Sequence, residues 1–209
     1  MNLSSPISSV VPGGRGSVLA VLARTEEPMS GRRIAELAGD KVRKTWVNTL
    51  LSELVEAGVV LADSKPPSKL YRLNRDHLAA PAIEVLANMR ARLIEMLRDD
   101  IRRWQPAPSS AWLFGSVARG EGGVESDIDI AIVRSDRIDD DDSAWSFQVA
   151  ALGERIRLWT GNEASVIEYA ESELAALATA GEGIVRSIRA EGIHLGGRRN
   201  LLGANAKAL

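Results

Sequence analysis

The sequence predicts an α+β chain in two parts: a helical first third closed by a short β-hairpin, then a short mixed β-sheet flanked by helices. Three observations predict it. Apolar residues recur at the i, i+3, i+4, i+7 spacing of helices in residues 17–57 and again in 81–104. Two short β-type runs flank Pro66-Pro67 directly after the first helices. Three short apolar-rich runs, near 111–114, 128–133 and 164–169, then alternate with helical stretches. With 209 residues there is room for one large or two small domains, and 45% hydrophobic with 26% charged residues excludes wholesale disorder.

Taken in order, residues 1–16 are rich in Ser, Pro and Gly and are expected to form a flexible arm. A helix from Ser17 to about Thr25 carries Val18, Leu19, Val21 and Leu22. Glu26–Gly31 reads as a loop, and Ser30 is placed to cap a second helix bearing Ile34, Leu37 and Ala38. After the Gly39-Asp40 turn, a third helix runs from Lys41 to about Ala57, with Val47, Leu50, Leu51, Leu54 and Val55 as its buried stripe, and Gly58 stops it. Val59–Leu61 and Leu70–Leu73 are expected strands around a proline loop. Helix, helix, turn, helix and a two-stranded wing is the order of a winged helix-turn-helix, and the chain resembles that family over roughly residues 17–75. The domain is expected to occupy residues 17–77.

Pro81 opens a linking helix to about Trp104, within a segment spanning 78–105, with Leu86, Met89, Leu93, Leu97, Ile101 and Trp104 on one face. Pro106 and Pro108 end it. The second domain, residues 106–209, contains strands at Ala111–Phe114, Ile128–Val133 and Ala164–Tyr169. Its helices are expected at Ser143–Trp159, about Ser172–Ala180 and about Gly183–Ala190. The tryptophans 104, 145 and 159 fall on apolar stripes and read as core. The acids from Asp139 to Asp142 read as a solvated run favouring the N-terminus of the following helix.

Composition narrows the function. The absence of cysteine excludes disulfides, thiolate metal sites and a cysteine nucleophile. Two histidines, His77 and His194, leave no His-rich metal centre and no basis for a Ser/His/Asp triad. His77 reads as structural, and His194 carries no partner pattern. No apolar run approaches the ~20 residues of a membrane span. No secretory leader is read at the N-terminus, so a cytoplasmic location is expected. Charge is uneven: +3 up to His77 and −5 beyond it. Any nucleic-acid contact must therefore come from a local basic patch in the first third.

That patch is legible. Lys41, Arg43, Lys44, Thr45 and Asn48 lie off the buried stripe at the start of the third helix, as a groove-facing edge requires. Lys65, Lys69 and Arg72 on the wing and Arg32 and Arg33 on the second helix add charge. Lysine and arginine suit phosphates, while Arg43 and Asn48 can reach base edges. The same face also suits a module for protein docking or dimerisation.

The residues that carry chemistry are Leu113-Phe114-Gly115-Ser116-Val117-Ala118-Arg119-Gly120, followed by Ser126-Asp127-Ile128-Asp129-Ile130. A strand ends at Phe114, and glycine and the amides of a helical turn let phosphate approach the backbone. Ser116 adds a hydroxyl donor. Asp127 and Asp129, one residue apart on a strand, project to one face. Paired hard anionic ligands suit Mg²⁺, which takes one or two carboxylates and fills its shell with water and substrate phosphates.

Gly115-Ser116, Ala118-Arg119-Gly120 and Ser126-Asp127-Ile128-Asp129 together resemble, in order and spacing, the nucleotidyltransferase superfamily related to DNA polymerase β, and within it the small bacterial "minimal" nucleotidyltransferases. The resemblance covers about residues 82–195. It implies transfer of a nucleoside monophosphate from an NTP, ATP in the first instance, to a hydroxyl acceptor on protein, RNA or a small molecule. It also implies that Gly115, Ser116 and Arg119 bind phosphate, and that Asp127 and Asp129 are catalytic and hold two Mg²⁺ ions. Arg119 can alternatively pair with Asp127 or Glu121. A third acid is expected on the next strand, where this chain aligns Ser165. Glu163 shares the strand parity of Ser165 and Glu168 does not, so three arrangements stand open: Glu163 reaching in, Glu168 delivered by a bulge, or no third acid. Two functions follow. One is an Mg²⁺-dependent nucleotidyltransferase targeted or autoregulated through DNA binding by its winged helix, with a homodimer among its expected partners. The other is a DNA-binding regulator whose degenerate transferase domain senses NTP.

Overall fold

In the computed structural model the described residues are 1–39, 44–65 and 68–202, the side chains of 44, 45, 65 and 68 excepted. The chain divides into two units. The first comprises Asn2 and Ser4–Arg90, the second Met1, Leu3 and Ala91–Leu209.

The first unit begins with a 3₁₀ turn, Pro6–Ser9, in place of the expected flexible arm. Ile7 is fully buried in this unit's core, and Leu3 is buried in the core of the second unit. Turn-forming composition suggested mobility, but two apolar side chains within it bury enough surface to order the stretch. Helix α1 spans Gly14–Ala23, β1 Met29–Ser30, α2 Gly31–Ala38 and α3 Lys44–Glu56. Ser30 caps α2, its hydroxyl accepting from Arg33 N at 3.3 Å. Strands β2 (Val60–Lys65) and β3 (Ser68–Leu73) form an antiparallel hairpin, longer at both strands than the hydrophobic pattern indicates, because pairing from Val60↔Leu73 to Lys65↔Ser68 continues through polar residues. β1 pairs with β3 on the other side, Met29↔Tyr71 and Ser30↔Leu70, giving the order β1-β3-β2. Two residues are too few to show strand alternation, which is why this stretch reads as loop. Val18, Leu22, Ile34, Val47, Leu51 and Val60 pack at the centre.

The expected linking helix is two helices, α4 (Ala80–Ala87) and α5 (Met89–Ile101). The break falls at Asn88, whose side-chain amide donates to Glu84 O at 2.9 Å and so competes with the helical ladder.

The second unit is built on a four-stranded mixed sheet in the order β6-β5-β4-β7. β4 is Ser110–Phe114, β5 Ile128–Arg134, β6 Ala164–Ala170 and β7 Ile193–Gly197. β4 runs antiparallel to β5 and β7, whereas β5 and β6 are parallel. Alternation divides the core. Ile128, Ile130 and Ile132 face α5 and α7 (Ser143–Thr160), against Leu97, Ile101, Trp145, Leu152 and Ile156. Ala131 and Val133 face the other way, with Trp112, toward α8 (Glu171–Ala180) and α9 (Gly183–Glu191), which contribute Leu174, Val185 and Ile188. The Trp104 and Trp145 rings meet edge to face, 5.5 Å apart, within the first of these layers. Asp142 caps α7, accepting from Trp145 N at 2.8 Å, and Asp140 pairs with Arg134. Among the described residues no helix is long and apolar enough to cross a membrane.

Candidate functional site

The site is built where β4 meets β5. β4 ends at Phe114, Gly115 turns the chain with φ +71°, and α6 (Gly115–Arg119) closes on left-handed Gly120. Phe114 lies directly opposite Asp129 in the antiparallel ladder, so the turn and the aspartate are adjacent by register. Gly115 is required twice. Its φ is in the left-handed region, and a Cβ there would run into the Asp129 carboxylate. Ser116 is half-buried, and its hydroxyl makes no hydrogen bond among the described residues.

Asp129 is half-buried and Asp127 exposed, one residue before β5 begins. Burial pushes the Asp129 carboxyl above the usual carboxylate range, the neighbouring Asp127 charge pushes it further, and Arg119 only partly offsets both. The donor set fits a divalent cation: two carboxylates of hard oxygen, with a hydroxyl-bearing turn beside them to receive phosphate. Among the described residues no group of three or more His, Cys, Asp or Glu side chains forms a metal cage.

The position of Asp127 depends on Asn162, a residue that carries no motif. Asn162 is 2% exposed, and its side-chain nitrogen donates to Gly123 O, Val124 O and Ser126 O at 3.2, 3.0 and 2.9 Å. One amide thus gathers the loop that leads into Asp127.

β6 pairs with β5 in unbroken parallel register from Ile128↔Ala164 to Arg134↔Ala170, which sets Asp129 beside Ser165. Glu168 lies beside Ile132, on the opposite face, where its carboxylate accepts from Trp145 Nε1 at 2.6 Å. The bulge that would deliver Glu168 is absent from this described strand. The Glu163 side chain is 71% exposed and lies 3.6 Å from Arg157.

A carboxylate that sequence reasoning missed does stand at the turn. Glu191, at the end of α9, accepts from Gly115 N at 3.2 Å, from Arg119 Nη1 with both oxygens at 2.9 and 2.8 Å, and from Ser187 Oγ at 2.7 Å. Burial raises its pKa, but hydrogen bonds from Arg119 and Ser187, the Arg119 charge and the Gly115 amide outweigh that and leave it below the ordinary glutamate range. The signal was its placement: an acid in the last turn of a helix opposes the macrodipole and calls for a partner. Arg119 also donates through Nε to Glu121 at 2.7 Å, and hydrogen bonds from its two acids raise its pKa. Of the alternatives for Arg119, pairing with Glu121 is present, and no ion pair joins it to Asp127 among the described residues.

In the first unit, Asn48 and Lys69 are exposed and line, with Ser30, Gly31, Arg32 and Tyr71, one open cavity of about 600 Å³. Lys41 and Arg43 lie outside the described residues, as do the side chains of Lys44 and Thr45.

Residues 99–192 match the family model "Polymerase beta, Nucleotidyltransferase". This stretch, which carries β4 to β6 and both aspartates, is a nucleotidyltransferase domain of the polymerase β type. No curated protein matches the chain. Among solved structures, it is similar to a toxin–antitoxin complex with AMP-PNP, at 22% identity and a TM-score of 0.34, covering 53% of this chain and 75% of that one. A mutant of the MntA-HpeT toxin–antitoxin pair is 23% identical, with a TM-score of 0.32 and coverages of 53% and 73%. A tri-AMPylated Shewanella oneidensis HEPN toxin in complex with MNT antitoxin is 20% identical, with a TM-score of 0.30 and coverages of 53% and 71%.

Proposed function

We propose that the second unit binds an NTP with Mg²⁺ at Asp127 and Asp129 and transfers a nucleoside monophosphate to a hydroxyl acceptor, the new O–P bond at the α-phosphate replacing the bond to the departing pyrophosphate and the hydroxyl proton passing to solvent. The observation that carries this reading is the pairing of Phe114 with Asp129, which sets the Gly115-Ser116 turn against the aspartate carboxylate. When bound, Mg²⁺ neutralises triphosphate charge and aligns the α-phosphate. The chain's own residues supply the rest. Asp127 and Asp129 fix the metal's place relative to the turn. The Ser116 hydroxyl, uncommitted among the described residues, donates to phosphate, and Arg119 adds a permanent cation. Incubation with labelled ATP, GTP, CTP and UTP and Mg²⁺, scored for transfer to protein, RNA and small hydroxyl compounds, tests it. Label transferred only with Mg²⁺ is expected, and absence of both Mg²⁺-dependent binding and transfer rejects the reading.

A second reading, NTP sensing without transfer, has its own observation: Ser165 stands beside Asp129 where an acid would accept the hydroxyl proton. Mg²⁺-dependent binding with no transfer to any acceptor is its expected result.

The first unit we read as a winged helix that binds DNA, alone or to target the transferase. Its order α1-β1-α2-α3-β2-β3 and the meeting of Arg32, Asn48 and Lys69 around one open cavity support this. Lys41, Arg43, Lys44 and Thr45 belong to the same proposed surface. Phosphate-dominated binding weakens with salt at a slope of about −0.9 per phosphate neutralised. An Arg32→Ala, Lys69→Ala double variant is therefore expected to show a gel-shift salt slope shallower by about 2 units, one contact per side chain. A slope equal to the parent's assigns this face to protein docking.

A further inference from the structure

We propose that Glu191 is a positioning residue of the nucleotide site: with one carboxylate it holds both the Gly115 amide and the Arg119 guanidinium, fixing the turn and the cation that meet the triphosphate. The inference rests on the NTP-binding reading above and adds to it a residue outside its motifs, 72 positions beyond Arg119 in the chain.

The geometry argues for a brace rather than a passing contact. The Glu191 side chain is only 16% exposed. Its Oε1 takes three donors, from Gly115, Arg119 and Ser187, and its Oε2 a fourth hydrogen bond from Arg119. Ser187 sits one turn earlier on the same helix, so the carboxylate is oriented by α9 before it meets anything else. Both Glu191 oxygens take the one Arg119 Nη1, a charge-assisted contact. With Glu121 on Nε, it anchors the guanidinium from two sides. Nε is committed to Glu121 and Nη1 to Glu191, while Nη2 makes no hydrogen bond among the described residues and remains for phosphate. The Gly115 amide, held by Glu191, keeps the left-handed peptide in the orientation that admits the Asp129 carboxylate.

Charge and position predict opposite signs, which makes the test decisive. As a bare negative charge near a triphosphate, Glu191 would weaken binding, and its removal would tighten it. As a positioning residue its removal weakens binding. In Glu191→Gln the amide oxygen can still accept from Gly115 and Ser187, but the amide nitrogen replaces the Oε2 acceptor and opposes Arg119 Nη1, and the negative charge is gone, which weakens the hold on the guanidinium.

Calorimetry of ATP with saturating Mg²⁺ is expected to show affinity lower by about tenfold in Glu191→Gln, the size of one lost charge-assisted contact. In an Arg119→Ala background the same substitution should change affinity by less than about twofold, because its effect runs through Arg119. KM for ATP rises by the same factor as the dissociation constant while kcat stays within about twofold. If Glu191→Gln does not fold, Ser187→Ala removes one donor from the brace and is expected to weaken binding by about threefold, again only with Arg119 present. Affinity that is unchanged or tighter overturns the proposal. So does a loss that persists undiminished without Arg119, which would make Glu191 a general structural brace. A parent protein that shows no Mg²⁺-dependent ATP binding overturns the NTP-binding reading itself, and the proposal with it.

Discussion

Replacing Asp127 and Asp129 together by asparagine is expected to abolish the Mg²⁺ dependence of NTP binding and to cut transfer by about a thousandfold. Metal-borne charge stabilisation in the transition state is worth several kcal/mol, and each ~1.4 kcal/mol is tenfold. Asparagine keeps the shape and removes the charge, so the Phe114–Asp129 register and the packing against Gly115 should survive. Calorimetry with and without Mg²⁺ checks the binding, and labelled transfer checks the chemistry; Mg²⁺-dependent binding equal to the parent's would place the metal elsewhere. Stability should move the other way. The folded protein raises the Asp129 pKa, so it disfavours the charged carboxylate. A carboxyl of this kind contributes most to stability below its unfolded pKa, and that contribution is lost as pH rises through the folded value. Without metal, the melting temperature of Asp129→Asn should therefore rise relative to the parent as pH passes from acid to neutral, and the difference should vanish below the unfolded titration. A difference that is independent of pH would separate the effect from ionisation.

Ser165→Asp is expected to raise metal-dependent transfer by about a hundredfold, the lower end of what a positioned general base supplies. The register sets residue 165 beside Asp129, so the new carboxylate shares the face of the existing pair. It also adds charge next to an aspartate already burdened by burial, and the metal-free variant should be less stable at neutral pH than the parent. Glu168→Gln is expected to leave transfer unchanged, because that side chain serves Trp145 on the far face of the sheet. Transfer abolished by Glu168→Gln and untouched by Ser165→Asp would contradict the observed pairing of β5 with β6.

Much of the fold was legible because it is written in local period. The stripes of α3, α5 and α7 and the apolar β4 and β5 announce themselves within a few residues, and the Gly-Ser turn and Asp-x-Asp strand carry fixed spacings. What stayed hidden was set by distance or by brevity. β7 is five residues, Ile193–Gly197, with a histidine and two glycines, and only its pairing with β4 makes it a strand. β1 is two residues that exist as strand through Tyr71 and Leu70. The ambiguity over Glu163, Glu168 and Ser165 was one of register: a shift of one residue exchanges the faces of a strand, and composition does not fix it. Glu191 and Asn162 act across long sequence separations through single side chains, and no spacing rule reaches that far.

Asn162 gives the two aspartates unequal mechanical standing. Asp129 is carried by a ladder bonded on both sides, and moving it means breaking the sheet. Asp127 hangs from a loop whose three carbonyls converge on one buried amide. In the proposed metal site one carboxylate would thus be set by the sheet and the other by a loop. Under the proposed reading, substitutions at the exposed Val124 and Glu125 would alter the grip on the ion with the sheet unchanged, whereas Gly122 is buried against Val117 and belongs to the scaffold.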